Sequence, residues 1–149
     1  MMPESSTHTS ERKKIAPLPN LKQLALIFGR YPDIQAVYLF GSFASGRAYI
    51  ESDLDLAIVP RPDAKLLDKL GILADLTRLG LCDVDLVILD TDNIVLKHES
   101  VRQNYLIYQV EDFDSGGYYS RVTREYLDFL PYLEVQRHAY KTRILHGQT

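Results

Sequence analysis

Two short runs of β-branched, aromatic and aliphatic residues lie close together in the chain, and each one meets a polar motif at one end. The run Ile34–Phe40 stops at Gly41-Ser42, and after ten further residues Asp53-Leu54-Asp55 opens the run Leu54–Val59, which Pro60 ends. Residues of these types favour strands, and glycine and proline mark strand ends. The pattern therefore predicts two strands that carry a Gly-Ser turn and an Asp-x-Asp pair.

Helices and a third strand complete the predicted domain. Asn20 can cap a helix from Leu21 to about Arg30, which Tyr31-Pro32-Asp33 breaks. The later segments are a short helix or turn over Phe43–Tyr49, a helix from Asp63 to about Leu79 with Leu66, Leu70, Leu73 and Leu76 at helical spacing, the strand Val84–Leu89, a helix from about Asp92 to Gln103 and the apolar stretch Tyr105–Val110. This order predicts a small α/β (α+β) domain with helices packed on a sheet.

The last segment of the chain predicts one long helix or two. Six apolar residues can form one stripe along it, and these are Tyr119, Val122, Tyr126, Phe129, Leu130 and Leu133. Pro131 should kink or split the helix. A stripe rich in tyrosine is usually half-buried core, and a protein interface is the alternative.

Length, composition and charge narrow the domain organisation, the location and the functions expected of the chain. Its 149 residues, 46% apolar and 25% charged, suit one globular domain, which we place at residues 20–149 after a loose polar tail at residues 1–19. No window is apolar enough to span a bilayer, and the N-terminus lacks the apolar stretch of a signal peptide. The net charge of −3 argues against direct nucleic-acid binding. Because the lone Cys82 excludes an internal disulfide, a cytoplasmic location fits best.

The paired aspartates indicate a metal site. Alternate residues of a strand share a face, with Cα atoms roughly 6.5–7 Å apart, so Asp53 and Asp55 project together while Leu54 and Leu56 face the core. Two like charges this close are costly unless a cation lies between them. Carboxylates are hard oxygen ligands, and magnesium is the usual cation where phosphates share the coordination.

A third carboxylate belongs to the same predicted site. In the strand Val84–Leu89, the apolar residues Val84, Leu86 and Ile88 share one face, so Asp85 points to the other. If this strand pairs beside the Asp53 strand, the three carboxylates can hold two magnesium ions, the arrangement for in-line displacement at phosphorus. Asp85 is then placed to ligate a metal, to accept a proton, or both.

The turn Gly41-Ser42 predicts where the phosphates bind. Glycine lets a phosphate approach the backbone, and serine offers a hydroxyl and a backbone N–H. A helix that starts at this point adds positive dipole character. The turn and the carboxylates together are expected to hold a nucleoside triphosphate between an anion cradle and a metal.

Gly41, Ser42, Asp53, Asp55 and Asp85 resemble the signature of the nucleotidyltransferase superfamily that includes polymerase-β-like enzymes. That signature is Gly-Ser, a spacer of about ten residues, Asp-x-Asp and a third Asp on a later strand, and this chain matches each part. The resemblance implies the polymerase-β-like fold, a small mixed sheet with flanking helices and a C-terminal helical tail. It also implies that these aspartates are catalytic and bind metal, and that Gly41 and Ser42 bind the nucleotide.

The resemblance extends to a narrower group. The run GSFASGRAYIESDLDLAIV is similar to minimal nucleotidyltransferases, and the segments Leu96–Glu99 and Arg124–His138 resemble MntA-type antitoxins of HEPN/MNT toxin–antitoxin pairs. This resemblance implies an antitoxin that transfers AMP from ATP to a tyrosine of its cognate HEPN toxin, a HepT-type RNase, and so silences it. Family members often carry arginine at the position of Ser45, and Arg47 is the nearest arginine in this sequence.

Two other motifs fail at the positions that matter. The segment Gly41–Ala48 is close to a phosphate-binding P-loop, but Arg47 replaces its lysine and Ala48 its magnesium-binding Ser/Thr. His138-Ala139-Tyr140 is similar to the end of the HEPN nuclease motif, which needs an arginine with four to six residues between it and the histidine. Those positions are Leu133, Tyr132 and Pro131, so this chain is not expected to be the nuclease.

Two alternative functions remain open, and two residues near the predicted site are expected to have no role in it. The chain could act as an antitoxin by binding alone, or it could modify a small molecule such as an aminoglycoside. Only about 60 residues follow Asp85, which favours a partner protein that supplies the acceptor. Asp83 is expected to face solvent, and Cys82 is expected to be an inert, partly buried thiol.

Overall fold

The computed structural model describes residues 20–46, 53–64 and 67–145. Its strands are β1 (Ile34–Phe40), β2 (Leu54–Pro60), β3 (Val84–Ile88) and β4 (Tyr105–Gln109). Its helices are α1 (Leu21–Phe28), α2 (Ser42–Ser45), α3 (Lys69–Arg78), α4 (Ile94–Val101) and α5 (Ser115–Leu145). None of these helices is both long and apolar enough to cross a membrane.

The four strands form one mixed sheet in the order β3-β2-β1-β4. Strand β1 runs antiparallel to both β2 and β4, whereas β2 and β3 are parallel. The C-terminal end of β1 and the N-terminal ends of the other three strands therefore lie at one edge of the sheet. The Gly-Ser turn, the Asp-x-Asp pair and Asp85 lie at or beside this edge, which we call the motif edge.

Helices cover both faces of the sheet. On one face, the side chains of Leu24 and Phe28 from α1 and of Ile72 and Leu76 from α3 are fully buried. On the other face, a second cluster contains Val101 from α4 and residues of α5. The central strands β1 and β2 are buried on both faces, which explains why their sequences are almost continuously apolar.

The predicted and observed elements agree where the sequence has both a clear apolar pattern and a residue that marks the end of the element. Strand β1 has the predicted bounds, and Asn20 caps α1 by accepting hydrogen bonds from the backbone N–H groups of Lys22 and Gln23. The apolar stretch after α4 is a fourth strand, β4, which was not predicted as a strand. Its residues Tyr105–Tyr108 are of strand-favouring types, and they are half-buried because β4 is the outermost strand beside β1.

The predicted start of α3 was wrong. The N-cap is Asp68, whose carboxylate accepts a hydrogen bond from the Gly71 N–H, whereas the segment ending at Ala64 forms a turn in which Ala64 donates to the Arg61 carbonyl. With the helix in this register, Ile72 and Leu76 are buried and Leu70 is 79% exposed, contrary to its predicted place in the stripe. Leu66 lies outside the described residues.

The C-terminal segment is one continuous helix, α5, that passes through Pro131. Val122 is buried and the other five residues of the predicted stripe are half-buried. Beyond Pro131 nearly every described residue is exposed, so the missing backbone hydrogen bond and the ring of the proline meet water rather than a packed neighbour.

Candidate active site

Strand register brings the predicted carboxylates together at the motif edge. Asp55 on β2 pairs with Asp85 on β3, and Asp53 immediately precedes β2. Leu54 and Leu56 are buried on the opposite face, as the alternation of strand residues predicted. All three carboxylates thus lie on or directly before two adjacent parallel strands, and Asp55 is on the more central of the two, β2.

The electrostatics of this group are unfavourable without a cation. Asp53 and Asp85 are exposed, whereas Asp55 is half-buried. Burial raises the pKa of the Asp55 carboxyl above its usual value, and the negative charges of Asp85 and Asp53 raise that pKa further. A bound divalent cation would reverse the effect of all three causes, because it replaces lost hydration and opposes the like charges.

The three carboxylates fit magnesium by their chemistry but are not closed around a site. In residues 20–46, 53–64 and 67–145, no three acidic, histidine or cysteine side chains converge closely enough to hold a metal ion. The donors are all hard carboxylate oxygens, which magnesium prefers. Asp53, Asp55 and Asp85 could therefore share one ion only with their side chains in other rotamers.

Gly41 lies directly against the central carboxylate. Its backbone has φ 76° and ψ −151°, a conformation that is essentially restricted to glycine. A Cβ atom at this position would collide with the Asp55 carboxylate. The glycine of the Gly-Ser motif is therefore required twice, once by its backbone angles and once by the close approach of Asp55.

Gln103 holds the backbone of Gly41 in place. The Gly41 N–H donates a hydrogen bond of 3.0 Å to the Gln103 side-chain oxygen, and the Gln103 side-chain amide donates to the Gly41 carbonyl at 3.5 Å. The Gly41 N–H is thus occupied, which leaves Ser42 as the backbone donor of the motif. Sequence reasoning missed Gln103, because no spacing rule links a polar residue after α4 to a turn 62 positions earlier.

The helix after the motif is a single turn, Ser42–Ser45, shorter than the predicted segment Phe43–Tyr49. Gly46 ends it in a left-handed conformation. A single turn has only a small macrodipole, so its free N–H groups contribute more to anion binding than a helix dipole does. The later residues of the predicted segment, including Arg47, lie outside the described residues.

A cavity of about 400 Å³ opens beside the motif. It is lined by Gly41, Ser42, Ser45, Arg102 and Gln103. Arg102 and Gln103 follow α4, so this part of the lining comes from the connection between α4 and β4. The cavity provides space for phosphate groups next to the carboxylates.

Asp83 and Cys82 lie outside this arrangement. Asp83 is exposed, as predicted. Cys82 is also exposed rather than partly buried, because it lies in the connection between α3 and β3 and not in the strand. His138 is exposed on the distal part of α5.

Gln103→Met tests the clamp on Gly41. The variant removes both hydrogen bonds and leaves a part-buried N–H unsatisfied, so we expect a loss of about 1–3 kcal/mol in the free energy of unfolding. We also expect weaker binding of a nucleoside triphosphate, the ligand predicted for the Gly-Ser turn, because the turn loses its support. Thermal unfolding and titration calorimetry measure the two effects. Gln109→Met, at an exposed position of β4, is the matched control and should change neither.

Comparison with known proteins identifies the family and the fold. The family model "Polymerase beta, Nucleotidyltransferase" matches residues 22–113. Protein adenylyltransferase MntA of Shewanella oneidensis is 28% identical over 93 residues, which are 62% of this chain and 67% of that protein.

Two solved structures share the fold along most of their length. A toxin–antitoxin structure with AMP-PNP has a TM-score of 0.64 at 24% identity and covers 85% of this chain and 99% of the other. The MNT antitoxin complex with tri-AMPylated Shewanella oneidensis HEPN toxin gives a TM-score of 0.57 at 22% identity and covers 84% and 95%. The predicted polymerase-β-like fold, with its small mixed sheet and C-terminal helical tail, is confirmed. Because the family model spans more than half of the chain, this protein belongs to the polymerase beta nucleotidyltransferase family.

Proposed function

We propose that this chain is a magnesium-dependent protein adenylyltransferase that acts as an antitoxin. It transfers AMP from ATP to a tyrosine of a cognate HEPN toxin in the cytoplasm, and the modified toxin is silenced. The observation that carries the proposal is the register of the motif edge, where Asp85 pairs with Asp55 and Asp55 pairs with Phe40, the residue before Gly41. The adenylyltransferase activity of the MntA relative supports AMP as the transferred group.

Each residue at the motif edge has a role in this proposal. Asp53, Asp55 and Asp85 would hold two magnesium ions, which neutralise phosphate charge and lower the pKa of the attacking hydroxyl. Ser42 would bind the phosphates through its hydroxyl and backbone N–H. Gly41 would let the triphosphate approach the strand end, with Gln103 fixing its backbone.

The transfer step is a displacement at the α-phosphorus. A tyrosine hydroxyl, whose pKa is about 10 when unperturbed, attacks the α-phosphorus and forms a new O–P bond. The bond from that phosphorus to the oxygen shared with the β-phosphate breaks, and pyrophosphate leaves with the electron pair. Asp85 is exposed at the outer strand β3 and would accept the phenolic proton, since an incoming protein can reach it there.

The shape of the chain favours a protein acceptor. The described residues after Asp85 mostly form α4, β4 and the long helix α5, and within residues 86–145 there is no separate substrate-binding domain. The distal part of α5 exposes large apolar side chains, namely Leu127, Tyr132, Val135, Tyr140 and Ile144. A partner protein that covers these side chains would supply the acceptor tyrosine.

Intact-mass spectrometry of the protein encoded beside this chain tests the proposal. The two proteins are incubated with magnesium and each of the four nucleoside triphosphates, and with ATP plus excess chelator. We expect one or more added AMP units with ATP and magnesium only. A stable complex without a mass change would show neutralisation by binding alone, and no complex and no mass change would redirect the search to small-molecule acceptors.

A further inference from the structure

The corner between α4 and β4 places an arginine at the motif edge. Tyr105, the first residue of β4, pairs with Leu39 near the end of β1, so the residues just before Tyr105 lie beside the Gly-Ser turn. Arg102 is the C-cap residue of α4 and lines the same cavity as Gly41 and Ser42.

The backbone around this arginine is fixed on both sides. Gln103 is hydrogen-bonded to Gly41 through its side chain, and the Asn104 N–H donates to the Val101 carbonyl at 2.8 Å. Asn104 has φ 54°, a left-handed conformation that asparagine tolerates at helix ends. Val101 is fully buried. The main chain of Arg102 is therefore held next to the cavity while its side chain reaches solvent.

The guanidinium group of Arg102 is available to an anion. Its Nε donates to a Glu99 carboxylate oxygen at 3.1 Å, and both side chains are 50% exposed. An exposed ion pair of this kind contributes little free energy. A phosphate group can engage the remaining N–H groups of the guanidinium or replace Glu99, because the planar fork matches phosphate oxygens.

The order of the strands gives the triphosphate a direction. Along the motif edge lie Asp85 on β3, Asp55 on β2, Gly41 directly after β1 and then the Arg102 corner before β4. Neighbouring strands are about 4.8 Å apart, so β4, which starts three residues after Arg102, lies about 10 Å from β2. The reacting α-phosphate must lie at the carboxylates, and the rest of the triphosphate then extends past Gly41 toward β4.

We propose that Arg102 binds the β- and γ-phosphates of the nucleoside triphosphate, from the side of the cavity opposite the Gly-Ser turn. The inference rests on the proposed function and adds a residue to it. Arg102 supplies a positive charge to the substrate end that lies farthest from Asp53, Asp55 and Asp85. It therefore distinguishes a triphosphate from a monophosphate of the same nucleoside.

Binding of ATP and of AMP, each with magnesium, tests this role by titration calorimetry. We expect Arg102→Gln to raise the Kd for ATP about tenfold or more, the usual loss for a charged hydrogen bond, and to leave the Kd for AMP unchanged. Arg102→Lys should recover part of the ATP affinity because it restores the charge without the fork.

Arg78→Gln is the matched control. Arg78 also ends a helix, α3, and also pairs with an acid three residues earlier, Asp75, but it lines a different cavity, with residues of α1. Asp75 is more buried than Glu99, so Arg78→Gln should unfold at or below the temperature of Arg102→Gln. It should nevertheless bind ATP like the unmodified protein.

Three results would overturn the assignment of Arg102. These are unchanged ATP affinity in Arg102→Gln, an equal loss of ATP and AMP affinity, and an equal loss in Arg78→Gln, which would indicate bulk charge alone. If the unmodified protein binds no ATP, the proposed function fails and the role of Arg102 fails with it. If it binds ATP and modifies its partner while Arg102→Gln does the same equally well, only the role of Arg102 fails.

Discussion

Asp53→Asn is expected to lower the rate of AMP transfer by about 1000-fold or more, because the proposed metal site loses a carboxylate and with it several kcal/mol of transition-state stabilisation. The fold should not suffer. Asp53 is exposed before β2, and its charge is one of the causes that raise the pKa of Asp55. Mass spectrometry of the partner protein over time measures the transfer rate.

The raised pKa of Asp55 determines whether Asp53→Asn raises or lowers the stability of the protein. Because the pKa of Asp55 is raised in the folded protein, the stability associated with this carboxyl is full below its unfolded pKa and is lost as pH rises through its folded pKa. At pH 7 the metal-free protein therefore bears the cost of the charged cluster. Asp53→Asn removes part of that repulsion, so thermal unfolding at pH 7 should show equal or slightly higher stability.

Asp83→Asn separates the site from general charge effects. Asp83 is also an exposed acid just before a strand. Its contact with β2 is made by its backbone carbonyl, which accepts a hydrogen bond of 2.9 Å from the Leu54 N–H, and that contact does not depend on the side chain. This variant should transfer AMP at the normal rate. If Asp53→Asn and Asp83→Asn behave alike, the assignment of Asp53 to the metal site is wrong.

The central part of the fold could be predicted from sequence because burial on both faces leaves a clear pattern. Strand β1 is buried along almost its entire length, so its apolar run and its glycine stop are both visible in the sequence. Strand β4 lies at the end of the sheet and its residues are half-buried, so its pairing with β1 is a tertiary fact that no local pattern records.

The same contrast applies to the candidate site. Asp53, Asp55 and Asp85 could be grouped in advance because strand alternation fixes their faces and parallel pairing sets Asp55 beside Asp85. Arg102 and Gln103 could not be grouped with them. Both follow a helix in an ordinary polar context, and only the pairing of β4 with β1 brings them to Gly41.

Gly41→Ala should damage both activity and stability. The positive φ of Gly41 costs an alanine about 1–3 kcal/mol, and the added Cβ would collide with the Asp55 carboxylate. Relief of that collision displaces either the turn or the central carboxylate, and a displacement of about 1 Å in a reacting group can cost about 100-fold in rate. We therefore expect transfer at least about 100-fold slower together with a lower unfolding temperature.

Gly80→Ala shows which part of that loss belongs to the site. Gly80 also has a positive φ, 100°, but a Cβ added there meets no atom within 4 Å. Backbone strain alone should thus lower its unfolding temperature while transfer proceeds at the normal rate. If Gly41→Ala loses stability like Gly80→Ala and keeps its activity, the contact between Gly41 and Asp55 has no part in the reaction. A larger loss of activity at matched stability would assign the close approach of glycine and carboxylate to catalysis.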